Sequence, residues 1–474
     1  MSHGVGTASD RCSARRCTDG PRARGVPSAV PASRTRLPLP LPLAVLAALP
    51  GTYLGAATYL GLPYAELPAP LAAVVYGVAI VAAAFVLSWA AEAAQVDVSA
   101  GFALGVLALL AVLPEYAVDF VFSLQAGQVF AATGECTPTP GGANPCGLAL
   151  ANMTGANRLL VGVGWPLVVL VAAIAVTRAR RAGAEAPPPG RVAVPRTMSA
   201  EIVYLGIATL YSLHLPLRTS LTLIDAIVLV SIFVAYAVRL ARAPAGKPDL
   251  IGTAAWVGGL ASGRRRGTYI GMFVVAALVI LASAEHFAGS LVQTGAELGV
   301  DEFLLVQWVA PLASEAPELI VACLYAWRLR ARDSLGTLLS SKVNQWTLLV
   351  GTIPIVFALA SGSLHGLPLD AQQRFELLLT AAQSLFAVSL LIKLNLTVWG
   401  AVALFVLFAI QFVGSLALPT EVGRGLVVGL STLYVLLAIV IFVWRRRDLV
   451  RTTRDGLVTP FDELTEPERV APSR

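Results

Sequence analysis

Apolar segments long enough to cross a bilayer follow one another through almost the whole chain, and nothing constrains its fold more. A hydrocarbon core takes about 20 apolar residues per helical crossing. Such stretches fall near 41–61, 69–91, 99–124, 148–176, 200–215, 219–240, 268–288, 303–327, 337–361, 373–393, 396–415 and 424–444. Of the 474 residues, 57% are hydrophobic and only 13% are charged, against about 25% charged in soluble domains. In lipid each backbone polar group must be satisfied within its own segment, which selects helices. The expected fold is therefore an all-α polytopic membrane protein of about twelve spans. Residues 1–36, basic and rich in Ser, Pro and Gly, read as a disordered arm. The first apolar stretch, within 37–62, runs past signal-peptide length and reads as a retained span.

Arg and Lys set the direction. Basic residues crowd the connections 178–191, 238–267 and 327–334, and the segment 444–451. Twelve alternating spans bring all of these to one side, together with the basic arm and the tail 446–474. The positive-inside rule makes that side cytoplasmic, so both termini are expected there. Cys136 and Cys146 then share an external loop, where a disulfide can survive. Cys12 and Cys17 have no matching His or Cys partners for zinc, and Cys323 reads as packing. Trp327 and Trp444 read as interface anchors, and Gly101 with Gly105 as a close-packing pair. The segment 452–474 reads as a tail without chemistry.

Inside this apolar frame two Pro-Glu pairs stand out, Pro114-Glu115 and Pro317-Glu318. A carboxylate at membrane depth is expensive and marks a cation site or a proton path. The proline beside it withdraws a backbone donor and frees a carbonyl of the preceding turn, near Leu110 or Ala313. Residues 68–240 and 268–415 each hold five spans, with the Pro-Glu pair in the second; 241–267 links them. An odd number of spans inverts the second copy relative to the first. One further span lies at each end, within 37–62 and 423–445. A span rich in small and polar residues follows each pair, LANMTGANRLLVGVGW and GTLLSSKVNQWTLLVGT. Neutral oxygens of this kind suit hard cations, and a site between inverted repeats is a recurrent transporter design.

At these residues the chain resembles the sodium/calcium exchanger family of the calcium/cation antiporter superfamily. The first repeat gives Leu113-Pro114-Glu115, then Asn152-x-x-Gly155-Ala156-Asn157 and Leu160-Val161-Gly162. The second gives Ser314-Glu315-Ala316-Pro317-Glu318, then Gly336-Thr337-x-x-Ser340-Ser341-Lys342 and Leu348-Leu349-Val350-Gly351. The resemblance implies that Glu115 and Glu318 are metal ligands meeting near the midplane. It also places Ser314, Ser341 and Gln345 at ligand positions, and implies sliding or rocking of each repeat's first span. Asn152 and Asn157 are expected to add oxygens. The departures are Ala111 and Val112 for two hydroxyl residues, Ala156 for a Ser, and Leu160 for a polar ligand. Glu315 stands in place of a Ser and Lys342 in place of an Asn, while Arg158 adds a second buried cation.

Asp119 shares a helix face with Glu115, as Glu315 does with Glu318. Each is read as a ligand, or else as the ion-pair partner of Arg158 or Lys342. Counted together, four acids and two bases leave a formal charge of −2, enough for one divalent cation or its equivalent in protons. Arg158 and Lys342 are then charge-balancing residues, in the role of bound sodium. The reading is of a secondary cation antiporter, exchanging calcium for sodium or protons, in a bacterial plasma membrane. Its alternatives are a sodium/proton antiporter on the same fold and a scaffold or sensor that has lost transport. Glu285-His286 reads as an interfacial pair or a proton relay, and Asp225 and Gln307 as interhelical hydrogen-bond residues. There is no His-Glu-x-x-His, Walker loop or Gly-x-Ser-x-Gly, so no enzyme, cofactor or nucleic-acid partner is expected beyond the transported cations and the lipid bilayer.

Overall fold

The computed structural model describes residues 37–97, 113–136, 144–184, 186–188, 190–243, 250–300 and 302–465. The basic arm, Ala111, Val112, Leu110 and the Gly101/Gly105 pair lie outside them. Eleven of the predicted spans are met by a described helix, and of the span 99–124 only 113–124 lies within the described residues. In chain order these are α1 (Pro40–Leu60), α2 (Ala69–Ala94), α3 (Leu113–Thr133, the described part), α4 (Pro145–Arg181), α5 (Ser199–Ser212) and α6 (Leu223–Leu240). Then follow α7 (Ser262–Leu298), α8 (Glu302–Trp327), α9 (Ala331–Ser361), α10 (Ala371–Leu391), α11 (Val398–Ala417) and α12 (Thr420–Trp444). The protein is an integral membrane protein built from two inverted five-helix repeats, α2–α6 and α7–α11, with one extra helix at each end.

Contacts between connections agree with the alternating topology. Connections assigned to the basic side meet one another: β1 (Arg191–Ala193) pairs antiparallel with β4 (Asn395–Thr397). Arg265 grips Asp97 through two hydrogen bonds of 2.8 and 2.5 Å. Those bonds hold the Asp97 carboxyl below the usual carboxylate range. Connections assigned to the opposite side also meet one another. There β2 (Ser220–Leu221) pairs with β3 (Leu367–Pro368), and Asn144 donates to Asp370 at 3.2 Å. A disulfide, Cys136–Cys146, ties the end of α3 to the start of α4 on that side.

The first helices of the two repeats, α2 and α7, lie along each other. Their seam is built from small residues, Ala79, Ala83, Ala90, Ala276 and Ala284, which let two backbones approach. Helix α1 is seated on both. A methyl group added at Gly51 would meet Ala79 at 2.7 Å, and one at Gly55 would meet the Ala282 carbonyl at 1.9 Å. At the outer end Tyr59 donates to Glu285 at 2.6 Å, and His286 lies between the rings of Tyr59 and Tyr76. The Glu-His pair thus joins three helices.

Asp225 forms the expected interhelical bond, accepting from Tyr211 at 2.7 Å; it also caps its own helix through Thr222. The first part of the tail is folded. Residues 446–465 fold into α13 (Arg446–Leu457) and α14 (Phe461–Thr465), which dock under α5 and α6. Buried Arg239 at the end of α6 donates to the carbonyls of Gly456, Asp455 and Thr459, and its guanidinium covers the Phe461 ring. Arg196 grips the Asp455 carboxylate at 3.1 and 2.9 Å. Charge-assisted hydrogen bonds contribute about 1.5–3 kcal/mol each. The Arg239→Gln variant is therefore expected to melt at lower temperature in detergent and to expose 446–465 to limited proteolysis. A protease pattern like that of the parent would show that the tail is held by something else.

A buried carboxylate cluster between the repeats

The two Pro-Glu helices bring their acids together in the protein interior. Glu115 and Asp119, four residues apart on α3, are 1% and 2% exposed; Glu315 and Glu318 on α8 are 1% and 9% exposed. The Glu115 carboxyl lies within electrostatic reach of Glu315, Glu318 and Asp119, so acids of both repeats share one region. Neutral side chains accompany them. Asn152 on α4 donates to Asp119 at 2.7 Å, and Gln345 on α9 donates to Glu315 at 2.9 Å. Gln345 also neighbours Glu115, and the Ser341 hydroxyl neighbours Glu318. Ser314, on the same α8 segment, is buried and spends its hydroxyl on the carbonyls of Ala310 and Pro311.

Backbone features of the motifs explain how these helices come so close. The two parts of α8, Glu302–Ala316 and Glu318–Trp327, meet at 53°, with Pro317 at the break. A proline lacks the donor that would keep the helix straight. Gly155 on α4 lies directly against the Gln307 carbonyl of α8; a Cβ there would sit 1.7 Å from that oxygen. Only glycine permits this approach. One turn of π-helix interrupts α4 at Leu160–Gly164 and α9 at Gln345–Leu349, beside each repeat's Leu-Leu-Val-Gly run. Such turns widen a helix locally and are frequent at functional sites. Tyr116 adds a further link between repeats, donating to Asn344 at 3.1 Å.

The two bases are held by different partners. Arg158, 1% exposed, pairs with Glu376 of α10 at 2.5 Å. It also stacks over Trp308, 5.0 Å from the ring centroid, and Gln307 donates to Glu376 at 3.1 Å. Lys342 is fully buried and donates to Asn157, at 3.0 Å to its backbone carbonyl and 2.7 Å to its side-chain oxygen. Asn157 thus serves the ammonium in this arrangement. Neither base forms an ion pair with any of the four clustered acids among the described residues.

Glu376 was not among the site residues read from the sequence. Its signal was present but weak: Glu376, Thr380 and Gln383 recur at helical spacing along one face of α10. Including it changes the count, because five acids and two bases leave −3 rather than −2. Oxygens of the cluster remain without hydrogen-bond partners, namely Glu115 Oε2, Asp119 Oδ2, Glu315 Oε2, Glu318 Oε2, Asn152 Oδ1, Ser341 Oγ and Gln345 Oε1. Buried polar atoms are nearly always paired. Seven orphaned acceptors in one region are what a cationic guest would satisfy. Among the described residues no three His, Cys, Asp or Glu side chains converge tightly enough to hold a metal ion in this conformation.

Inverted helical repeats that share buried acids are the architecture of a membrane transporter. The family described as sodium/calcium exchanger protein matches residues 69–241 and 268–417. The chain belongs to this sodium/calcium exchanger family. Among solved structures it is similar to the H+/Ca2+ exchanger CAX, with 38% identity and a TM-score of 0.76, over 88% of this chain and 98% of that one. Native YfkE shares the fold at 15% identity, with a TM-score of 0.51, over 79% of this chain and 98% of its own. Among curated protein sequences none matches.

Proposed function

We propose that this protein is a secondary antiporter that exchanges calcium for protons at the buried carboxylate cluster. The observation that carries the reading is the set of four clustered carboxylates, drawn from both repeats, with orphaned oxygens and, among the described residues, no ion pair to a base. Glu115 and Glu318 would be the principal calcium ligands, assisted by Asp119, Glu315, Asn152, Ser314, Ser341 and Gln345. Calcium takes 6–8 oxygens and tolerates irregular geometry, which suits such a mixed set. Arg158 neutralises Glu376, so the four acids and Lys342 leave −3. One calcium ion brings this to −1, and so do two protons. The two loaded states then match in charge, while the empty state carries a charge too large to move through a low-dielectric interior. That difference favours exchange over leak. The similarity to an H+/Ca2+ exchanger supports protons as the coupling ion, as do Ala156, Leu160 and Lys342 at positions where the family carries neutral ligands.

Sodium coupling is the second reading, favoured by the unpartnered neutral oxygens of Asn152, Ser341 and Gln345. Reconstituted vesicles separate the two. Acid-loaded vesicles are expected to take up radioactive calcium without sodium and to stop when a protonophore is added. Uptake that needs a sodium gradient, with a steep dependence on several sodium ions, would give the role to sodium. Absence of uptake under both gradients, with no calcium-dependent shift in melting temperature, would leave only the non-transporting scaffold.

A further inference from the structure

Far from the carboxylates, at the basic end of the bundle, a cavity of about 320 Å³ opens between the end of α4, the β1–β4 ribbon and the turn joining α8 to α9. Its inner wall is apolar, formed by Val169, Val176 and Ala326. Its mouth carries Arg191, Arg330 and Arg332, with Asp333 as the one acid in the lining. Three Arg against one Asp leave +2. Asp333 is already engaged, accepting from Arg330 at 2.9 Å, whereas Arg191 and Arg332 are exposed. A second opening on the other flank of the same α4 segment is edged by Arg178 and Arg181. Arg178 lies over Trp327, 4.3 Å from the ring centroid. An exposed Trp at a span end marks the level of lipid headgroups.

We propose that this cavity is a binding site for one anionic phospholipid. Its phosphate would be held by Arg191, Arg332 and Arg330, and the start of its acyl chains would lie along Val169, Val176 and Ala326. The division of the cavity is the reason to prefer a lipid over a free anion. A phosphate ion needs only the mouth, while the apolar wall has no use for it and would be wetted without a guest. Arginine suits the headgroup because its planar fork meets phosphate oxygens in pairs. The cavity lies between elements of both repeats, so a lipid seated there would brace α4 against the α8–α9 turn. This reading does not depend on which ion couples transport.

The test uses the full chain purified in a nonionic detergent, with melting temperature as the readout. Phosphatidylglycerol is expected to raise it saturably, and phosphatidylcholine to leave it unchanged. The Arg191→Gln/Arg332→Gln double variant should bind phosphatidylglycerol roughly twenty-five-fold more weakly, at about a fivefold loss per arginine. Both residues are exposed, so its melting temperature without lipid should equal that of the parent. A second variant, Arg446→Gln/Arg447→Gln, removes two equally exposed charges after α12 and should keep the full response. Equal stabilisation by both lipids would overturn the proposal. So would stabilisation by inorganic phosphate alone, or an equal loss in the two variants, which would mean diffuse attraction to the basic end.

Discussion

Neutralising Glu115 or Glu318 is expected to abolish calcium transport while leaving the fold intact. The variants Glu115→Gln and Glu318→Gln keep side-chain volume and remove one negative charge from a set already short of counter-ions. For the empty protein this is not a loss: crowded buried carboxylates repel one another, so either variant should melt at or above the parent temperature without calcium. For the loaded protein the loss is large. A full charge at contact distance in a buried site is worth several kcal/mol, which means calcium affinity should fall by at least about a hundredfold. Calcium titrations followed by melting temperature, together with uptake in vesicles, measure both halves of the prediction. Asp119→Asn should have a smaller effect, since one oxygen of Asp119 is already taken by Asn152. If Glu115→Gln melted well below the parent while retaining uptake, Glu115 would be a structural residue and the site would have to be sought elsewhere.

The second large effect concerns stability rather than transport. In Glu376→Leu the buried guanidinium of Arg158 loses its only ion-pair partner among the described residues and keeps only Trp308 and the Thr154 carbonyl. Removing one member of a buried pair typically costs about 3–5 kcal/mol, because the remaining charge has nowhere to go. A marked fall in melting temperature and poor recovery from the membrane are therefore expected. The Glu376→Leu/Arg158→Leu double variant should regain most of the loss, since two apolar side chains fill the same space without a stranded charge. The sign of that coupling is the informative quantity. Additive single and double variants would mean that the pair contributes nothing as a pair.

The membrane-spanning architecture was legible because it rests on strong, local signals. Long apolar runs have one solution in lipid, and arginines in short connections fix the direction. Glu115 and Glu318 were legible for the same reason, each being an isolated acid in an apolar run beside a proline. What escaped the sequence depended on which helices become neighbours. Arg158 has acids on two sides in the chain, but its partner lies on α10, more than two hundred positions away. No periodicity within α4 points there. Nor did the sequence show what holds Lys342, a neutral side chain and a carbonyl of the opposite repeat. The docking of the tail was not legible either, because its composition is that of a solvated segment. Its docking depends on one buried arginine from α6 meeting backbone carbonyls that no side-chain pattern encodes.

The seating of α1 carries a consequence for the surrounding membrane. Because Gly51 locks it to α2 and Gly55 to α7, any displacement of that pair must drag α1 along. Its outer face, with Leu43, Leu46, Leu49 and Tyr53, is bare toward the acyl chains. If the first span of each repeat slides or rocks, as the family resemblance implies, the moving body is a three-helix raft in direct frictional contact with lipid. Bilayer thickness and viscosity become part of the mechanical load on each turnover, and the exchange rate should track the chain length of the host lipid even where the carboxylates are unchanged.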